Sequence, residues 1–195
     1  MHRASHIRPG LVGLGLALFL ASIPSASATT LRRMGLSELV RTNESVVIGH
    51  VTDATSYWLG DGTFILTDVA FTADSVLKGS PSQTELTVTI MGGTVGDATA
   101  LVVAGAELVP GREYLLFLAP SDLPGAEGVT SVRDHCQGAF DVVRAGSGAR
   151  VVSQATQHPL LSDDLGVSEP PGGQDGLELG HAIGEIRRAA RQGRE

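Results

Sequence analysis

The stretch that decides the fold is "ESVVIGHVTDATSYWLGDGTFILTDVAFTADSVLKG", residues 44–79. Two β-branched, apolar runs flank a short polar segment. In "SVVIGHV", Val46 and Ile48 fall on one side of an extended chain, and Val47 and Val51 on the other. Apolar residues on both sides suit a strand covered on both faces. Gly49 in its middle marks a bend or bulge. In "FILTDVAFTADSVLKG", Ile65, Val69, Phe71 and Ala73 share one parity, while Asp68, Thr72 and Asp74 share the other. That is a strand with one wet face. Between the runs, Gly60, Asp61 and Gly62 supply turn chemistry. The reading is an antiparallel hairpin of strands 45–54 and 64–77, joined by a loop over 55–63. Tyr57 and Trp58, the chain's one tryptophan, then stand in that loop.

Upstream, "MGLSELVRTNE" predicts a short helix with Ser37 as its cap and Leu36, Leu39 and Val40 as its apolar face. Downstream, "ELTVTI" alternates cleanly, with Leu86, Val88 and Ile90 inward. "MGGTVG" reads as a glycine-rich loop, and "ALVVAG" as a short strand. Pro110-Gly111 turns the chain into a buried strand over 113–119. "GVTSVRD", "GAFDVVR" and "ARVVS" read as three more strands. Many short strands without strand–helix alternation predict a mainly β fold, an antiparallel OB-like barrel or sandwich, with a short N-terminal helix and a C-terminal helix.

The ends carry other signals. Arg3, His6 and Arg8 precede an apolar run over 11–23, followed by Pro24 and by Ala26-Ser27-Ala28. This is the pattern of a secretory signal peptide, 1–28, cleaved after Ala28. It implies a secreted or periplasmic protein, and no later run has the length of a membrane span. The domain reading is therefore a β-barrel domain over 29–156, a Pro-, Gly- and acid-rich linker or extended arm over 157–176, and a C-terminal helix over 177–195. In that helix Leu179, Ile183, Ile186 and Ala190 recur at helical spacing.

Charge excludes some partners. The formal net charge is −7, and loss of the signal peptide removes two arginines and no acid. Such a chain lacks the clustered cations that nucleic acid or an anionic membrane requires. The one basic cluster, "EIRRAARQGRE", reads as the solvated face of the last helix.

Catalytic patterns are poorly represented. His50, His135, His158 and His181 form no ligand pair at metal spacing, so the metal and cofactor expectation is none. Asp134, His135 and Cys136 are consecutive, and in a strand neighbours point to opposite faces, which separates a thiol from a base. Cys136, the single cysteine, has no disulfide partner and reads as buried. "MGGTVG" lacks the lysine and following helix of a phosphate cradle. No catalytic residue is assigned. What is left is binding, with Tyr57 and Trp58 as aromatic anchors and Gly92 and Gly93, in the glycine-rich loop, as further binding candidates. Trp58 has a second reading, as a lid over one end of the core.

"LSELVRTNESVVIGHVTDATSYW", "TDVAFTADSVLKG", "VTIMGG" and "PGREYLLFLAP" together resemble a group of secreted bacterial proteins of unassigned function, over about residues 31–143. Asn43-Glu44-Ser45 stands where that group tends to have Ala-Asp, and Met91-Gly92-Gly93 where it has Pro-Gly-Gly. More distantly, "VVIGHV", "VLKG" and the Gly111–Tyr114–Leu115 spacing are similar to the netrin-like module, the OB-type barrel of the tissue inhibitors of metalloproteinases. Those inhibitors act through an N-terminal cysteine and carry framework disulfides; this chain has neither, so the resemblance implies the barrel and not the inhibitory residue. The functional expectation is a secreted, non-enzymatic binding module with a protein partner in the envelope or extracellular space, such as an extracellular protease. The alternatives are a structural component of a cell-envelope assembly and an enzyme of unrecognised type.

Overall fold

In the computed structural model, residues 33–60, 62–81, 83–158 and 171–193 are described. The signal-peptide reading of 1–28 and most of the arm lie outside them. The elements are α1 (Leu36–Thr42), β1 (Ser45–Trp58), β2 (Ile65–Lys78), β3 (Glu85–Met91), β4 (Gly93–Val95), β5 (Ala98–Ala100), β6 (Glu113–Pro120), β7 (Thr130–Val132), β8 (Ala139–Ala145), β9 (Gly148–Ser153), β10 (Leu177–Glu178) and α2 (Leu179–Gln192). The fold is mainly β. One antiparallel sheet runs β10-β9-β8-β6-β1-β2-β3, with β7 also paired to β6, and β4 and β5 form a separate hairpin.

β1 lies inside the sheet, between β6 and β2, because its first half is apolar on both sides. Val46 and Ile48 join Leu115, Phe117 and Phe140 on the face that α1 and α2 cover. Val47 and Val51 join Val69, Phe71, Tyr114 and Leu116 on the opposite face. The parity read from the sequence is therefore the division between two cores. α1 contributes Leu36, Leu39 and Val40, and α2 contributes Ala182 and Ile186. The C-terminal helix thus finds the apolar surface that its glycines, poor helix formers, leave it needing. Its first turn is capped by Glu178, whose carboxylate accepts from the N–H groups of Gly180 and His181 at 2.9 and 2.7 Å.

Gly49 sits at a register shift in the β1–β2 ladder, where a Cβ would lie 2.0 Å from the carbonyl oxygen of Thr72. The bulge curls the sheet, and β3 approaches β7. No ladder joins those two strands among the described residues, so the sheet is curled and open.

Five local readings are corrected. β1 continues to Trp58, so 55–58 is strand; the pairs Tyr57↔Leu66 and Trp58↔Ile65 extend the ladder, and the connection between strands is only 59–64. The glycine loop holds a strand, β4, paired to β5. Residues 101–106 form no strand, and Leu101 and Val103 are exposed. The N-cap of α1 is Gly35, without a side-chain cap; burial of Leu36 starts the helix one residue ahead of Ser37. Cys136 lies in a 3-10 turn, His135–Gly138, because Asp134 and His135 both take left-handed conformations, with φ of 61° and 58°.

Candidate functional site

The structure brings Tyr57, Trp58, Gly92 and Gly93 to one end of the sheet. Tyr57 and Trp58 close the β1 side of the β1–β2 ribbon, and the N–H of Gly92 donates to the carbonyl of Ile65 at 2.8 Å. Trp58 shares a face with Ser56 and Ala54, and Tyr57 with Thr55. Trp58 is 45% exposed. At the same end Phe64 and Met91 are also exposed, Met91 on the Tyr57 face through its pairing with Leu66.

Gly93 has a tight seat. At φ +129° it places its Cα over the Ser56–Thr67 hydroxyl pair, and a Cβ there would come within 2.3 Å of both oxygens. The hydroxyls lie 2.8 Å apart, Thr67 donates to the carbonyl of Gly92 at 2.7 Å, and Ser56 accepts from the N–H of Thr94 at 3.3 Å. Two small polar side chains thereby fasten the β4–β5 hairpin onto the ribbon. On the other face, the hydroxyls of Tyr57 and Thr89 both donate to Asp68 Oδ1, at 3.2 and 2.7 Å. Burial, then the Asp68 charge, pushes the Tyr57 hydroxyl above its ordinary value. Tyr57 is therefore a tied donor, and Trp58 is the less constrained aromatic.

A second polar cluster escaped the sequence reading. Arg112 Nη2 lies 2.9 Å from Asp141 Oδ1, outside hydrogen-bonding geometry, and its guanidinium stands 5.7 Å from the centre of the Tyr114 ring. The Tyr114 hydroxyl accepts from the N–H of Val109 at 2.9 Å, and Gln154 bonds both backbone groups of Glu107. Burial raises Asp141 above the usual carboxylate range against the opposing pull of Arg112. Together these groups tie segment 107–112 to β6, β8 and the turn after β9. None faces a nucleophile, and the arrangement is a brace. Only the period of the strands, which puts Tyr114 inward, hinted at it.

Cys136 is fully buried beside Ala104 and Ala155, and burial pushes its thiol up to about 11. At neutral pH it is a protonated, enclosed thiol, the opposite of what a nucleophile needs. His50 stands half-buried, its Nδ1 3.2 Å from Asp74 Oδ2. Among the described residues, no group of three or more His, Cys, Asp or Glu could hold a metal ion. No helix is long and apolar enough to cross a membrane among them. Comparison with family models, curated proteins and solved structures finds no match to this chain.

Proposed function

We propose that the protein is a secreted, non-enzymatic binding module whose contact surface is the open end of the β1–β2 ribbon. The observation that carries this is the exposure of Trp58, Phe64 and Met91 around one tip, on a strand pair whose other half is rigidly packed. Large side chains held on a firm scaffold lose little entropy on docking, which is what an anchor requires. Secretion rests on the signal-peptide pattern before Thr29. An OB-like, netrin-like barrel is the architecture that fits the order of elements, with β3 drawn toward β7 and helices on the outer face of β1. The partner is a protein of the envelope or extracellular space, of which an extracellular protease is one example.

A photoreactive side chain at position 58, compared with one at exposed Val143 on β8, tests the surface. Adducts in envelope or medium fractions from position 58 alone are expected. Adducts from position 143 and none from 58 would overturn it. The envelope-assembly reading draws on Arg187, Arg188 and Arg191, exposed on α2 without an ion pair among the described residues. A probe at position 188 that captures a partner while position 58 is silent would favour that reading.

A further inference from the structure

Strand β1 has two edges with different histories. Along one, it pairs with β2 from Val46 to Trp58. Along the other, it pairs with β6 only from Ser45 to His50. The last bonds on that second edge are Val51 N–H to the Arg112 carbonyl, 3.0 Å, and Gly111 N–H to the Val51 carbonyl, 2.8 Å. There the chain of β6 turns away at Pro110-Gly111, and no other backbone takes its place among the described residues.

The register says which groups this leaves open. In an antiparallel ladder, alternate residues direct both backbone groups to one neighbour and then to the other. The Ile65 carbonyl accepts from Gly92, so the backbone of Ile65 faces the β3 side. Its partner across the ladder, Trp58, therefore turns its N–H and C=O away from β2. Ser56 and Ala54, two and four residues earlier, do the same, while Asp53, Thr55 and Tyr57 bond to β2. Three consecutive outward residues present three donors and three acceptors in a row, the template that an added strand uses.

Charge says what fits. Asp53 is exposed at the start of this edge and makes no ion pair among the described residues. The chain as a whole is acidic, with a net charge of −7, which opposes pairing with a second copy. We infer that the free edge of β1 over 54–58 takes an extended peptide segment of another protein as an additional antiparallel strand, with an apolar residue opposite Trp58 and a basic residue opposite Asp53. This rests on the binding reading above and names the form of its partner.

The probe is the synthetic peptide acetyl-TVTTTVK-amide, which sets valine opposite Trp58 and lysine opposite Asp53. In the free protein, amide exchange is expected to be fast at Ala54, Ser56 and Trp58 and slowed by β2 at Thr55 and Tyr57. Saturating peptide is expected to slow the first three by about tenfold or more and leave the other two unchanged. That period-two pattern is the signature of strand addition. Asp53→Lys should invert the preference between TVTTTVK and TVTTTVE, by about threefold each way. Ala54→Pro removes an outward donor and should abolish the protection; if that variant does not fold, the exchange pattern of the native chain and the charge swap still decide. Uniform slowing, or none, overturns the proposal. A change in Trp58 emission without slowed amides would leave a tip that docks through side chains alone, so the binding reading would stand and the added strand would fall. Protection without peptide, in a species that sediments as a dimer, would show self-pairing and overturn the choice of partner.

Discussion

The two halves of the β1–β2 ribbon share one ladder and little else. Over residues 46–51, β1 has a strand on each edge and a core on each face. Over 52–58 it keeps β2 alone, and its side chains are exposed or half-buried. The root is held by burial, which is non-directional and strong. The tip is held by ladder bonds and by a few hydroxyls around Gly93, each worth about 1 kcal/mol net. A strand can thus be anchored at one end and offered at the other, and the difference is open to measurement.

The largest effect should come from the root. Phe117 packs tilted against Phe140, ring centroids 5.6 Å apart, between the sheet and the two helices. Phe117→Ala should cost about 3–5 kcal/mol, read from the shift of a urea unfolding midpoint at unchanged slope. A cost near that of a surface change would mean that the helices are not seated on this face.

The two glycines come next, because each half has one that no side chain can replace freely. Gly49→Ala drives a methyl into the Thr72 carbonyl, and Gly93→Ala drives one into the Ser56 and Thr67 hydroxyls at a left-handed φ. Each should cost about 1–3 kcal/mol. The distinction is in the rescue. Trimming Thr72 to alanine leaves its carbonyl in place, so Gly49→Ala is not relieved. Trimming Ser56 and Thr67 together removes both obstructing oxygens, so Gly93→Ala is partly relieved. Equal rescue at both sites would erase the contrast between a backbone-packed root and a side-chain-packed tip.

Much of the root was legible in sequence and little of the tip was. Val46, Val47, Ile48 and Val51 announce two faces because the apolar period is two on both parities. Leu36, Leu39 and Val40 announce α1 in the same way. The tip misled because Gly60, Asp61 and Gly62 are strong turn residues and their influence was read back as far as Thr55. Cross-strand partners at Leu66 and Ile65 decide otherwise, and pairing is not local information. β4 and β5 are three residues each, too short to show a period. The free edge of β1 depends on where β6 ends, which is set more than fifty residues later in the chain. Only the residue types were visible, an aromatic pair and, separately, an adjacent glycine pair; their nearness comes from the pairing of β2 with β3.

Alkali offers a third comparison. Cys136 is buried with Ala104 and Ala155, apart from both halves of the ribbon, and its thiol is raised from 9.0 to about 11. A folded-state value above the unfolded one favours the neutral form, so this contribution is complete below pH 9 and is lost as pH climbs through 11. Unfolding midpoints measured across that window should fall, and Cys136→Ala should flatten part of the decline. Native thiol labelling at neutral pH should be slow, and complete labelling within seconds would show the residue exposed.

The smallest effect belongs to Trp58. Its neighbours hold it at 45% exposure at the end of a ladder, and no buried cluster includes it. Trp58→Ala should therefore shift stability by less than about 1 kcal/mol, a surface-like value despite the size of the side chain. The same residue reports on itself, since it is the single tryptophan. Its emission should lie toward the red and be open to a neutral quencher in the native state, and unfolding should change its quenching far less than it changes the circular dichroism. A blue-shifted, quencher-resistant spectrum, or a loss of several kcal/mol on removal, would make Trp58 a lid on the inner core. The two halves of the ribbon would then be one packed unit, and the contact surface would have to be sought on the β4–β5 hairpin or on the arginines of α2.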